Sequence, residues 1–163
     1  MLTIPLVHSD IPFVLSANQL KIHDAIHYHN RNLLLNIPRQ WGLTYYIAYF
    51  AYMYQSVNMA IVSPNSISSN DIRRKFEHFV DQSSYHISSY NKFYSSISLK
   101  HSSFNGLYNK KLIIYPELDH VHFCTKHQDF IKRLGATKNT KVILCTQGNS
   151  KWIPENFTEV TLK

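Results

Sequence analysis

Three short apolar runs, each ending in a polar residue, constrain this chain more than any other feature. Leu33-Leu34-Leu35 lies within a stretch from Asn32 to Ile37, Lys111-Leu112-Ile113-Ile114-Tyr115-Pro116-Glu117 ends in an acid, and Lys141-Val142-Ile143-Leu144-Cys145-Thr146 ends in a hydroxyl. Such runs read as buried strands, and together they suit a parallel sheet with polar loops at its carboxyl ends. The first run leads into Pro38-Arg39-Gln40-Trp41-Gly42-Leu43-Thr44-Tyr45 and then into a helix. Strand, glycine-containing loop and helix outline a phosphate-binding loop. There, backbone N–H groups at the helix start cradle phosphates, a lysine neutralises their oxygens and a Ser/Thr hydroxyl holds magnesium. Gly42 and Thr44 fit the outline, but Leu43 stands where the lysine belongs.

The rest of the chain punctuates into alternating elements. Periodicity and breakers predict a helix over about 17–29, a strand over 32–37, a helix over 44–55 and a strand over 58–63. The second helix is apolar on nearly every face (Tyr45, Tyr46, Ile47, Tyr49, Phe50, Tyr52, Met53), as expected of a helix covered on several sides. Ser63-Pro64-Asn65 turns into a helix over 68–81, with Ser68 or Ser69 as N-cap and Asp71 in its first turn. From Ser83 to Ser103 the period-two spacing of Phe93, Ser95, Ile97 and Leu99 suggests a short strand or hairpin. Phe104-Asn105-Gly106-Leu107 reads as a turn into the Lys111 strand, and a last helix over 125–134 is expected to stop at Gly135.

Taken in order, four pieces resemble the ATPase domain of the large terminase subunit, the DNA-packaging motor of tailed phages. Asn18-Gln19 is similar to the family's adenine-reading element, and Arg39-Gln40-Trp41-Gly42-Leu43-Thr44 to its Arg-Gln-x-Gly-Lys-Thr loop. Tyr115-Pro116-Glu117 resembles its strand ending Asp-Glu, and Cys145-Thr146-Gln147-Gly148-Asn149 its coupling motif. The likeness runs from about Ala17 to Phe157. It implies an α/β fold, a P-loop NTPase-like three-layer sandwich with a mostly parallel central sheet. A length of 163 residues with 44% hydrophobic content suits one domain over 1–163, with an N-terminal extension over 1–16 and an irregular tail over 150–163. The family's C-terminal nuclease, with its clustered carboxylates, has no counterpart after Thr146, so nuclease activity is not expected.

The resemblance also implies roles. Gln19 would contact the base, Arg39 would approach the γ-phosphate, and Gln40, Gly42 and Thr44 would form the nucleotide loop with Thr44 on magnesium; Glu117 would orient water and Thr146 would couple hydrolysis to movement. Each residue also has a plain structural reading. Gln19 could be a solvent-facing helix residue, Arg39 a surface charge, Thr44 a helix cap and Glu117 the end of a strand running into a polar turn at Asp119. Two departures from the family pattern remove charge, because Leu43 replaces the lysine and Pro116 the magnesium-organising aspartate. Phosphoryl transfer depends on positioned charge, so ATP and magnesium are expected to bind weakly and turnover to be slow or absent.

A formal charge of +7, from 17 Lys and Arg against 10 acids, favours a polyanionic partner. Nonspecific, salt-sensitive affinity for double-stranded DNA is therefore expected, without base reading. The resemblance adds portal or terminase subunits as partners and the cytoplasm of an infected or lysogenic bacterial host as the location. Cys124 and Cys145 lack a paired spacing, which fits a reducing intracellular setting. No signal peptide is expected, and the apolar run from Tyr45 to Tyr54 is too short to span a bilayer. His23 and His27 sit at helical i,i+4 spacing, and His120, His122, Cys124 and His127 form a second cluster, but no third ligand joins the first pair and no zinc is expected. The alternative to a terminase-like motor is a nucleic-acid- or protein-binding module whose P-loop-like sheet is only a scaffold.

Overall fold

The computed structural model describes residues 13–82, 92–97, 99, 103–121, 125–148 and 152–163. Among the described residues the α-helices and strands follow in the order α1 (Ala17–Tyr28), β1 (Leu33–Asn36), α2 (Leu43–Met53), β2 (Met59–Ser63), α3 (Ser66–Asp81), β3 (Phe93–Ser95), β4 (Leu112–Tyr115), α4 (Thr125–Ala136), β5 (Lys141–Thr146) and β6 (Thr158–Thr161). The strands form one sheet in the order β3-β2-β4-β5-β1-β6, and every pairing is parallel. The three apolar runs read from the sequence are its central strands, β4, β5 and β1, and all of their residues except Asn36 and Lys141 are buried.

Alternation along the strands sends side chains to two cores. Leu33, Leu35, Ile61, Ile114, Ile143 and Cys145 pack with α1, α2 and α3. Leu34, Val62, Ile113, Tyr115 and Leu144 pack with α4 and the segment around Leu107 and Leu118. The chain first winds from β1 through β2 to β3 at one edge, then returns through β4 and β5 to β6 at the other. Right-handed crossovers place the helices of those two passes on opposite faces, which yields an α/β sandwich of three layers. α2 contributes Tyr46, Ile47, Ala48, Phe50, Ala51 and Tyr52 to the first core, so the helix is covered on several sides, while Tyr45 on its remaining side is exposed. Burial holds the Cys145 thiol up at about 12.

Several local expectations are corrected. Residues 158–161 are not an irregular tail but edge strand β6, paired in register with Leu33–Asn36. Its two-in, two-out pattern of half-buried and exposed residues is what an edge strand shows, and Asn36 ties it down by donating to Glu159 Oε1 at 2.8 Å. Phe93–Ser95, by contrast, is a short strand, one of the two readings of this stretch, and it pairs parallel with β2. α3 is capped by Asn65, whose side chain accepts the Ser68 N–H at 2.9 Å, so the helix starts two residues before the expected site. Gly135 does not stop α4, which continues to Ala136; a Cβ there would lie 3.0 Å from the Phe157 ring, and close packing is what the glycine permits. Residues 103–107 form a short 3-10 turn where a simple turn was expected. Of the expected N-terminal extension, residues 1–12 lie outside the described residues, as does most of the Ser- and Tyr-rich stretch.

Candidate functional site at the carboxyl ends of the strands

In an open parallel sheet, ligands settle where neighbouring strands send their connections in opposite directions, outside the carboxyl ends. β1 and β5 are such neighbours, because β1 leads toward β2 and β5 leads toward β6. The loop over 37–42 leaves β1 at this point and runs into α2. The Ile37 N–H donates to Thr146 O at 2.8 Å, so the loop start is fastened to the end of β5. Gln40 has φ 64° and Gly42 φ 72°, two left-handed residues that fold the loop back into the helix. Gly42 is the N-cap of α2 and provides no capping side chain, so the helix begins at Leu43 with Thr44 in its first turn. Thr44 therefore does not act as the cap.

Gln19 is buried and hydrogen-bonded through both its amide oxygen and its amide nitrogen. With Ser16 it closes a capping box on α1: Ser16 N–H donates to Gln19 Oε1 at 3.0 Å, and Gln19 N–H donates to Ser16 Oγ at 3.2 Å. Its amide nitrogen donates to Gly42 O at 3.0 Å. A Cβ on Gly42 would lie 2.7 Å from that nitrogen, so the glutamine occupies the space beside the loop. Leu43, in the position of the missing lysine, is 7% exposed and belongs to the core shared by α1, α2 and α3. Trp41 packs half-buried against the same core, with the Lys21 ammonium 5.4 Å from its ring centre.

The acidic side of the site is organised by a residue to which sequence reading gave only a turn. Asp119 receives the Thr146 hydroxyl, whose oxygen lies 2.7 Å from both carboxylate oxygens, and the Gln147 N–H at 2.8 Å. The Gly148 N–H donates back to Thr146 Oγ1 at 3.2 Å. Asp119 thus pins the end of β5 to the segment after β4. Its only sequence signal is a second carboxylate two positions beyond Glu117. Glu117 is half-buried; its carbonyl accepts the His120 N–H at 3.1 Å, while its carboxylate makes no hydrogen bond or ion pair with a described residue, and Pro116 is buried. Arg39 and Gln40 are exposed. Gln19, Arg39, Gln40, Gly42, Thr44, Glu117 and Thr146 accordingly all lie at the same end of the sheet, with Gln19 on Gly42 and Thr146 on Asp119 as the direct contacts. Arg39 is the cation of this loop.

His23, His27 and His127 are engaged elsewhere, while His120 follows Asp119 in a short 3-10 turn and is exposed. His23 Nδ1 lies 3.1 Å from the Tyr46 hydroxyl, and His27 meets His23 O at 2.8 Å through Nδ1 and the Tyr54 hydroxyl at 2.7 Å through Nε2. Burial, and then the adjacent His27, lower the pKa of His23. His127 is fully buried against Ser96 O and the Tyr115 hydroxyl, while His122 and Cys124 lie outside the described residues. No group of three metal-ligating side chains occurs among the described residues. No described helix is long and apolar enough to cross a membrane. The chain matches no protein-family model, and no curated protein matches it.

Proposed function

We propose that the chain is a terminase-like motor domain that no longer turns over ATP and acts by binding double-stranded DNA or packaging partners such as portal or terminase subunits. The observation that carries this reading is Leu43. The position where a cation would meet the phosphates carries a side chain built into the hydrophobic core, at the switch point of an all-parallel sheet. Gln19, tied to Gly42, leaves the loop braced by the protein's own amide, and Pro116 supplies neither carboxylate nor N–H. Any residual contact with ATP and magnesium would rest on Arg39, Thr44 and Glu117 and would be weak. DNA affinity would rest on the excess of 17 basic over 10 acidic residues, and the setting would be the cytoplasm of an infected or lysogenic bacterial host.

A second reading has a specific observation in its favour. The Gln19 bond to Gly42 is what a loop kept only as scaffold would show, and the chain would then be a binding module with no nucleotide role. The test is nucleotide binding, ATP turnover and DNA retention by the purified protein. DNA binding that weakens steeply with salt, with weak ATP binding and no turnover, supports the motor-derived reading. DNA or protein binding with no measurable nucleotide affinity favours the scaffold, and turnover comparable to a motor ATPase overturns both.

A further inference from the structure

A cavity of about 720 Å³ opens at the other end of the sheet, beside the residues that begin β4, β5, β1 and β6. Its volume lies within the range of small-molecule sites. Phe50, Tyr54 and Phe157 give it an aromatic wall, whereas Arg31, Lys138 and Lys141 give it three cations. No carboxylate is among the described residues that line it. Arg31 and Lys138 are exposed and make no ion pair with a described residue. Lys141 donates to Ile26 O and His29 O, both at 2.7 Å, which leaves the third ammonium proton for another acceptor.

Aromatic rings and cations lining one cavity without a carboxylate among the described residues are matched by one kind of ligand. We propose that this cavity binds a small organic anion with an aromatic or apolar body, its acidic group held by Arg31 and Lys138 with Lys141 beside them. The body replaces water against Phe50, Tyr54 and Phe157, and the acidic group supplies the negative charge the lining lacks. This site is separate from the loop after β1, so its fate is independent of any nucleotide role there.

The test is a fluorescence titration of the full chain with anilinonaphthalenesulfonate, an aromatic sulfonate, and with phenylnaphthylamine, its uncharged counterpart. The double variant Arg31→Glu, Lys138→Glu should weaken sulfonate binding by about tenfold or more, since two attractions become repulsions. A double variant with the same change in net charge at exposed positions on α3, which contributes no residue to the cavity lining, Arg73→Glu, Arg74→Glu, should stay within about twofold of the native affinity. The uncharged probe should bind the native protein more weakly than the sulfonate. Equal losses in the two double variants, no loss in the first, or equal affinity for both probes would overturn the proposal. Because the probe comparison uses the native protein, the outcome does not depend on the folding of a variant.

Discussion

The two ends of the sheet handle charge in opposite ways. At the carboxyl ends, where helices begin, the described acids Glu117 and Asp119 gather, and the lysine position is a buried leucine. At the amino ends, where helices finish, lysines satisfy the orphaned carbonyls. Lys141 caps the Ile26 and His29 carbonyls at the end of α1, and Lys92 reaches Gln55 O at 3.0 Å and Val57 O at 3.1 Å in the turn that follows α2. Cations at helix C-termini complement the backbone dipole and use the lone pairs that a helix end leaves free. A phosphate-binding centre needs the reverse placement, with cations where helices start. The protein has invested its buried positive charge in structure rather than in a polyphosphate site.

The largest effect that could break this comparison is Leu43→Lys. If the leucine is a true core residue, burying an unpaired ammonium should destabilise the protein by about 3 kcal/mol or more without conferring ATP turnover. Denaturant unfolding and an ATPase assay measure both halves, and a folded variant that hydrolyses ATP would show that the loop end is still a motor site. Gly42→Ala tests the loop itself. A left-handed φ of 72° and the approach of Gln19 predict a loss of about 1–2 kcal/mol, read as a lower unfolding midpoint at unchanged slope. An unchanged midpoint would mean that the loop is free to rearrange.

At the amino end the sharper probe is pH. Burial, with Lys110 nearby, lowers Lys92 to about 8 from 10.5. A base depressed in the folded state binds fewer protons than in the unfolded state between those two values, so its contribution to stability rises with pH across that window. From pH 8 to 10 the rise should be roughly 2 kcal/mol, and Lys92→Met should remove it. Unfolding curves of the two proteins at several pH values decide this, and parallel pH profiles would sink it. The smallest expected effect belongs to Asp119→Ala, which frees Thr146 and the Gln147 N–H. Because the carboxylate is exposed, the loss should stay below about 1 kcal/mol, while amide exchange at Gln147 should become clearly faster.

What the sequence determined by itself was the framework. Unbroken apolar runs at Leu33, Lys111 and Lys141 placed the central strands, and the glycine-containing loop between β1 and α2 was visible as residues. Those signals are local, because a buried strand or helix is written in the spacing of its own side chains. Tertiary structure decided everything that depends on a partner distant in sequence. Phe93–Ser95 and Thr158–Thr161 are too short and too mixed to be read as parallel strands until β2 and β1 supply their hydrogen bonds. Gln19 became a brace because Gly42 lies 23 residues away in sequence and 3.0 Å away in space, and Asp119 acquired its role through Thr146. The cavity at the amino ends is assembled from α1, α2, α4 and four strands or their flanking residues, so no local pattern could announce it. Periodicity fixes which residues must be buried, but only the packed chain decides which neighbours bury them.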